Sequence, residues 1–183
     1  GLGPPPSFSQ RAGLVRDDFG LHKMMVIVTQ SGKLFGIDNE SGKQHWVKVL
    51  KDFTGFAGDQ HIKLFVQRTS KFYPLPAQCA IVARDKTTGN GLLYQFNPLS
   101  GQSIDGKVVK LDFKIQQASL LHAFNGDNFL RDILFVDDKN EVHVRPETSV
   151  KHIDGLFLYI VNKQTGILTG YVLEYNKSSN VSQ

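Results

Sequence analysis

The chain has 183 residues, of which 40% are hydrophobic and 21% are charged, and its formal net charge is +4. A chain of this length can bury about two-thirds of its unfolded surface, so it can form one domain or part of a larger one. Its basic residues form no cluster of five to eight, which argues against a nucleic-acid-binding protein. No run of 18 apolar residues occurs, so the sequence predicts no membrane span.

The two ends differ in composition from the middle of the chain. Residues 1–13 are rich in Gly, Pro and Ser, and the three prolines Pro4 to Pro6 favour an extended conformation. Residues 176–183 are polar and resemble a linker. We predict flexible tails at 1–13 and 176–183 and a structured region over 14–175. The start lacks the apolar core of a signal peptide, so we expect any targeting element to lie outside this chain.

Short β-type runs separated by turns follow from Met24 onward. The first three runs are MMVIVTQ (24–30), KLFGID (33–38) and QHWVKVL (44–50). Turns of two to five residues join them, which predicts an antiparallel meander. Further strands are predicted at 61–69, 77–85, 92–97, 115–124, 132–138 and 141–148, and as a pair around KQTG within 156–175. A single helical turn is predicted over 146–153, because Pro146 suits the start of a helix.

One motif recurs along these runs: an apolar strand, a strand ending in Asp or Asn, and a Ser/Thr-Gly turn. Its glycines are Gly42, Gly101 and Gly166, and residues 137–148 form an imperfect copy without the glycine. A repeated four-stranded unit of roughly 40 to 50 residues is typical of a β-propeller. The predicted fold is therefore all-β, with about three to four antiparallel blades. Because unpaired blade edges favour association, we expect other parts of a longer polypeptide, or partners, to cover them.

The segment LFGIDNESGKQHW (34–46) resembles the tryptophan-docking motif of quinoprotein-like propellers. This resemblance implies that Trp46, the chain's single tryptophan, packs against a turn of the neighbouring blade. It also implies structural turn and docking roles for Gly42, Gly101 and Gly166.

A longer series of segments resembles one particular family, the large luminal subunit of the endoplasmic-reticulum membrane protein complex. The matching segments run from Val15 to Tyr175 and include VRDDFGLHKMMVIVTQSGKLFGID, PLPAQCAIVARDKTTG, LLYQFNPLSG and LYIVNKQTGILTGY. The resemblance implies a non-catalytic luminal scaffold that supports the insertion of transmembrane proteins. It implies other subunits of the complex as partners, together with client membrane proteins or chaperones.

Two other functions remain open at the level of sequence. A generic adaptor propeller would bind peptides or proteins through an exposed apolar patch. A quinone-dependent dehydrogenase-like enzyme would need, by resemblance to that class, a vicinal cysteine pair, whereas this chain has only Cys79. That residue enters an apolar run, which predicts a buried and unreactive thiol. We therefore predict no cofactor.

Other chemistry-bearing residues are scattered. The six histidines, none in a metal-binding motif such as HExxH, are His22, His45, His61, His122, His143 and His152. The acidic pair Asp137–Asp138 is predicted to form a turn, and Asp17–Asp18 is the other such pair. Three sequons begin at Asn39, Asn176 and Asn180, and each could carry a glycan in a luminal chain.

Overall fold

The structure is a computed structural model that describes residues 14–16, 23–55, 62–162 and 164–175. Within these ranges the chain forms fourteen β-strands and three short 3₁₀ helices, with no α-helix. The strands pair antiparallel in four sheets, here named A to D, which confirms the predicted all-β class. In the described part of the chain, no helix has the length and apolarity needed to cross a membrane.

Sheet A is a four-stranded meander in the order β1-β2-β3-β4. Its strands are β1 (Leu14–Arg16), β2 (Lys23–Val28), β3 (Lys33–Asp38) and β4 (Gln44–Val49). The tight turn between β2 and β3 contains Gly32 at φ +82°, a backbone conformation that a residue with a Cβ rarely adopts. The predicted meander is therefore confirmed.

Sheet B follows with five strands. They are β5 (Phe53–Thr54), β6 (Lys63–Arg68), β7 (Gln78–Asp85), β8 (Gly91–Phe96) and β9 (Val109–Lys110). Both β5 and β6 pair with β7, and β8 and β9 continue the sheet on its other side. Strands β7 and β8 are buried almost throughout, as expected for apolar runs with both faces covered.

The chain divides into two compact units, residues 1–114 and 115–183. The core of the first lies between sheets A and B, where Val26 and Leu34 of sheet A join Ile81, Tyr94 and Phe96 of sheet B. Phe53 and Leu34 are fully buried within it. Two sheets that pack through alternating apolar side chains give this unit its stability.

The second unit contains sheets C and D. Sheet C consists of β10 (Ile115–Asn125), β11 (Leu130–Asp137) and β12 (Val142–Arg145), and sheet D of β13 (Phe157–Val161) and β14 (Leu168–Val172). A 3₁₀ helix, Glu147–Ile153, connects them directly after Pro146, in place of the single helical turn that was predicted. Its buried Ile153 joins Val136, Val144 and Ile160 in the core of this unit.

Candidate functional site

The same five-residue turn, here called the Asx-Gly turn, occurs four times in the described residues. Its copies span 38–42, 85–89, 97–101 and 162–166. In each copy the glycine N–H donates to the carbonyl of the leading Asp or Asn at 2.7–2.9 Å, and the leading side chain accepts backbone N–H groups of the turn. All four glycines have φ between +70° and +77°. The backbone of the turn therefore favours glycine at its last position in every copy.

Three of the four turns contain the predicted glycines Gly42, Gly101 and Gly166. The fourth, Asp85–Gly89, was not recognised from the sequence as a copy of the motif. The imperfect copy at Asp137 is one residue shorter and places Asn140 at φ +64° where the other turns have glycine. Asparagine tolerates this region better than other residues with a side chain.

Trp46 lies where sheet A meets the Asx-Gly turn 97–101 of sheet B. Its Nε1–H donates to the carbonyl of Pro98 at 3.0 Å, and its ring meets Phe96 edge-on at 5.9 Å. A Cβ placed on Gly101 would lie 2.5 Å from the indole ring, and one on Gly36, the cross-strand neighbour of Trp46, would also collide with it. The indole is thus held between two glycines, and a side chain at either position would displace it.

The other two predicted docking glycines have no such neighbour. A Cβ on Gly42 or on Gly166 would meet no described atom within 4 Å. The structure therefore brings together Trp46 and Gly101, and it places no side chain of the described residues against Gly42 or Gly166.

A second repeated feature is an aspartate–histidine pair beside a turn. Nε2 of His143 lies 2.8 Å from Oδ2 of Asp137, and Nε2 of His45 lies 3.7 Å from Oδ2 of Asp38. Burial raises the pKa of the Asp137 carboxyl, but hydrogen bonds from His143 and two backbone N–H groups outweigh this effect and lower it overall. These contacts hold the turn closed, in agreement with the predicted turn at Asp137–Asp138.

Sequence reasoning did not predict that Glu141 joins this pair. The ligand atoms of Asp137, Glu141 and His143 lie within 4.8 Å of one another. Glu141 is exposed, and both oxygens of Asp137 already accept hydrogen bonds. The hydrogen bonds of this cluster therefore stabilise the turn. The three side chains meet because of the register of the hairpin between β11 and β12, which could not be deduced from the spacing alone.

Cys79 is buried in β7 with 1% exposure, and burial raises the pKa of its thiol to about 12. Such a thiol is neutral at physiological pH and is a poor nucleophile.

Sheets A and D each leave an apolar face exposed. On sheet D, the aligned side chains of Phe157, Tyr159 and Val161 are 70%, 57% and 49% exposed, and their cross-strand neighbours Leu168 and Val172 are exposed as well. The alternate residues of β13, Leu158 and Ile160, are buried in the core. Apolar residues therefore occupy both faces of β13, which is unusual for a sheet with one face in water.

The open face of sheet A is built in the same way. Ile27, Phe35 and Val47 lie in one row across β2, β3 and β4, with Met25 and Ile37 in the next row. Val47 and Val49 are 49% and 61% exposed. The opposite face of the same strands packs against sheet B.

Asn39 follows Asp38 in the first Asx-Gly turn and is half-buried, with no described partner for its Oδ1 atom. Its predicted glycosylation stays a prediction.

The predicted tails 1–13 and 176–183, with the sequons at Asn176 and Asn180, lie outside the described residues. So do the pair Asp17–Asp18 and the histidines His22 and His61.

Comparisons with known proteins agree with this architecture. A sequence model of the family described as "ER membrane protein complex subunit 1, second beta-propeller" matches residues 20–183. The protein named ER membrane protein complex subunit 1 from Gallus gallus is 35% identical over 175 residues, which cover 92% of this chain and 17% of that protein. Its Xenopus laevis counterpart is 37% identical over 172 residues, 91% of this chain and 17% of that protein.

The chain thus spans about 17% of the length of the curated relatives it matches. The sheets described above are β-propeller sheets, and the family predicted from the sequence is confirmed. This chain belongs to the family of ER membrane protein complex subunit 1, within its second β-propeller.

Proposed function

We propose that this chain is a non-catalytic luminal scaffold segment of the endoplasmic-reticulum membrane protein complex. It would support the insertion and biogenesis of transmembrane proteins through contacts with other subunits or with clients. The observation that carries the proposal is the exposed apolar face on sheet A and on sheet D, each in its own unit. Within the first unit, Trp46 fixes sheet A to sheet B. Exposed apolar surfaces of this kind suit protein contacts rather than chemistry.

The residues that could perform chemistry support a structural role. Asp137, Glu141 and His143 form the one cluster of potential metal ligands among the described residues, and the hydrogen bonds of Asp137 stabilise a turn. The thiol of Cys79 is buried. A quinone-dependent enzyme would need side chains that reach solvent or a cofactor, and Cys79 does not.

The luminal location is also a proposal. The relatives carry the endoplasmic reticulum in their names. A chain with a single, buried cysteine is compatible with an oxidising lumen, because it offers no exposed thiol for mispairing. We further propose that residues 14–175 are about three to four blades of a larger propeller, with tails at 1–13 and 176–183.

Affinity capture of the full-length polypeptide from cells tests the scaffold role. We expect the other subunits of the complex to co-purify with it. A variant with Phe157→Ser and Tyr159→Ser should lower their recovery, because it removes two aromatic rings from the exposed face of sheet D. A matched variant, Thr165→Ala in the adjacent exposed turn, should leave recovery unchanged. Absence of the other subunits from the wild-type capture would refute the proposal.

The same exposed face favours a second candidate function, a generic adaptor for proteins or peptides. Phe157 and Tyr159 are large, exposed and aligned on one sheet face, as are many residues that dominate protein interfaces. Capture of unrelated soluble partners, with none of the complex subunits, would favour the adaptor. Loss of those partners in the Phe157/Tyr159 variant would then locate the binding face.

A further inference from the structure

The loop between β6 and β7, residues 69–77, carries the most exposed aromatic side chain of the described residues. Tyr73 is 74% exposed, the largest fraction among the exposed large hydrophobic residues there. The loop lies at one end of sheet B and not on either of its faces. Because the sheets of a propeller pack through their faces, the packing of one sheet on the next does not cover such a loop.

The β6–β7 loop is held in one conformation by its own hydrogen bonds. Two successive backbone turns run from Ser70 to Leu75, and each is closed by an N–H to carbonyl hydrogen bond, at 3.1 and 3.0 Å. At the base of the loop, Nε of Arg68 donates to the carbonyl of Pro76 at 2.8 Å, and this arginine is only 8% exposed. A side chain on an ordered loop loses less conformational entropy when it binds, so Tyr73 is preorganised for contact.

The strands that support the loop are joined by buried amide side chains. Oε1 of the fully buried Gln67 accepts hydrogen bonds from Nε2 of Gln78 at 3.1 Å and from Nε2 of Gln95 at 2.8 Å. The three glutamines lie on the neighbouring strands β6, β7 and β8. Hydrogen-bonded side chains buried in this way make their surroundings rigid, so the two ends of the loop are fixed relative to each other.

A cation lies beside the exposed ring. Nζ of Lys71 is 4.9 Å from the centre of the Phe72 ring, a cation–π contact that holds the ammonium group against the loop. Residues 60–84, which include β6, the loop and most of β7, contain two lysines, two arginines and no Asp or Glu. An exposed aromatic ring beside a cation, with no acidic residue in the surrounding segment, is complementary to an apolar surface that carries carboxylates.

We propose that the β6–β7 loop is a docking element for an acidic and apolar surface of a different protein. Tyr73 enters the apolar part of the contact, and Lys71 pairs with a carboxylate at its rim. A protein fits better than a membrane, because attraction to anionic lipids needs a cluster of about four to eight basic residues, whereas Lys71 is the single basic residue of the loop. The inference rests on the proposed scaffold role and assigns it a contact element separate from the faces of sheets A and D.

Photo-crosslinking of the full-length polypeptide in cells tests the inference. A benzophenone amino acid replaces Tyr73 or, as a control, Thr87, which is exposed in the turn at the other end of β7. We expect the probe at Tyr73 to give a discrete band heavier than the polypeptide, in which mass spectrometry identifies a peptide of a different protein rich in Asp or Glu. No band above that of the Thr87 control, a crosslink within the polypeptide or to a second copy, or lipid adducts alone would overturn the proposal.

Charge reversal separates docking from mere proximity. Lys71→Glu, combined with the probe at Tyr73, should lower the crosslink yield roughly fivefold or more, because an attractive exposed ion pair becomes a repulsive one. Lys86→Glu, in the exposed turn that follows β7, changes the net charge equally and should leave the yield unchanged. Equal yields from the two variants would refute pairing of Lys71 with an acidic partner.

Failure of this contact is distinguishable from failure of the scaffold role. Recovery of the complex subunits without a crosslink at Tyr73 would overturn the docking loop and leave the scaffold role intact. A charge-dependent crosslink without recovery of those subunits would do the reverse. In the full-length polypeptide, Tyr73→Ser should leave the thermal unfolding midpoint unchanged, because the ring is exposed. A clearly lowered midpoint would show that the ring supports the fold, and the proposal would fail.

Discussion

Replacement of Trp46 by alanine tests whether the indole fixes sheet A to sheet B. The side chain is half-buried, lies between Gly36 and Gly101, and donates one hydrogen bond to Pro98. Alanine removes the ring, the hydrogen bond and the edge-on contact with Phe96 together. We expect a large loss of stability with no change of fold.

The magnitude follows from the buried area. An aromatic side chain buries about 150–250 Å² when fully enclosed, so a half-buried indole loses about 75–125 Å² of contact. At about 25 cal/mol per Å² this amounts to about 2–3 kcal/mol, and the lost hydrogen bond adds about 1 kcal/mol. Because the unfolded chain is itself compact and already buries part of this surface, we expect the free energy of unfolding to fall by about 3 kcal/mol. Trp46→Phe keeps most of the ring and should cost about 1 kcal/mol.

Urea denaturation of the 183-residue chain, followed by far-UV circular dichroism, measures both variants. In the wild-type chain Trp46 is the single tryptophan, so its fluorescence reports on this contact alone. Coincident fluorescence and dichroism curves would show that the contact breaks with the fold. A loss below about 0.5 kcal/mol for Trp46→Ala, the range of ordinary surface substitutions, would refute the docking argument.

Three further predictions concern the turns. Gly101→Ala should destabilise the chain more than Gly166→Ala in urea denaturation, because both incur the strain of φ +70° but only the first displaces an indole; equal midpoints would contradict this. The pKa of Asp137 is lowered in the fold, so the ionised carboxylate stabilises the folded state. This stabilisation is fully present at pH values above the unfolded pKa and is lost as the pH falls through the folded pKa. Asp137→Asn and His143→Ala should therefore reduce the fall in the free energy of unfolding between about pH 5 and pH 2, measured by denaturation at each pH. An unchanged dependence of that free energy on pH would disprove the pairing. Asn39→Gln should lower the apparent mass on a gel of the chain expressed in the endoplasmic reticulum, and endoglycosidase treatment should abolish this difference. Equal apparent masses before treatment would exclude a glycan on Asn39.

The sequence predicted the strands well where a turn contained glycine. Strand β3 was predicted at 33–38 and is observed at Lys33–Asp38, because Gly32 and the turn at Gly42 limit it on both sides. Strand β10 was less predictable. Its register shifts between Leu120 and Phe124, and nothing in the local pattern of apolar residues marks a bulge.

The number of repeats was harder to deduce. The interval between Gly42 and Gly101 contains another Asx-Gly turn, Asp85–Gly89, which the recurring motif did not identify. Sheet B has such turns at both ends of β8, so a count of glycine turns does not equal a count of blades. The resemblance implied that Trp46 packs against a turn of a neighbouring blade, but it did not identify Pro98, since 52 residues separate the two and only sheet packing brings them together.

The burial of Cys79 has a consequence for distinguishing folded from unfolded copies. In the native chain the sulfur is enclosed within β7 and withheld from disulfide exchange. An unfolded copy exposes the same sulfur to solvent. A maleimide reagent added to the 183-residue chain should therefore label unfolded molecules and leave folded molecules unmodified.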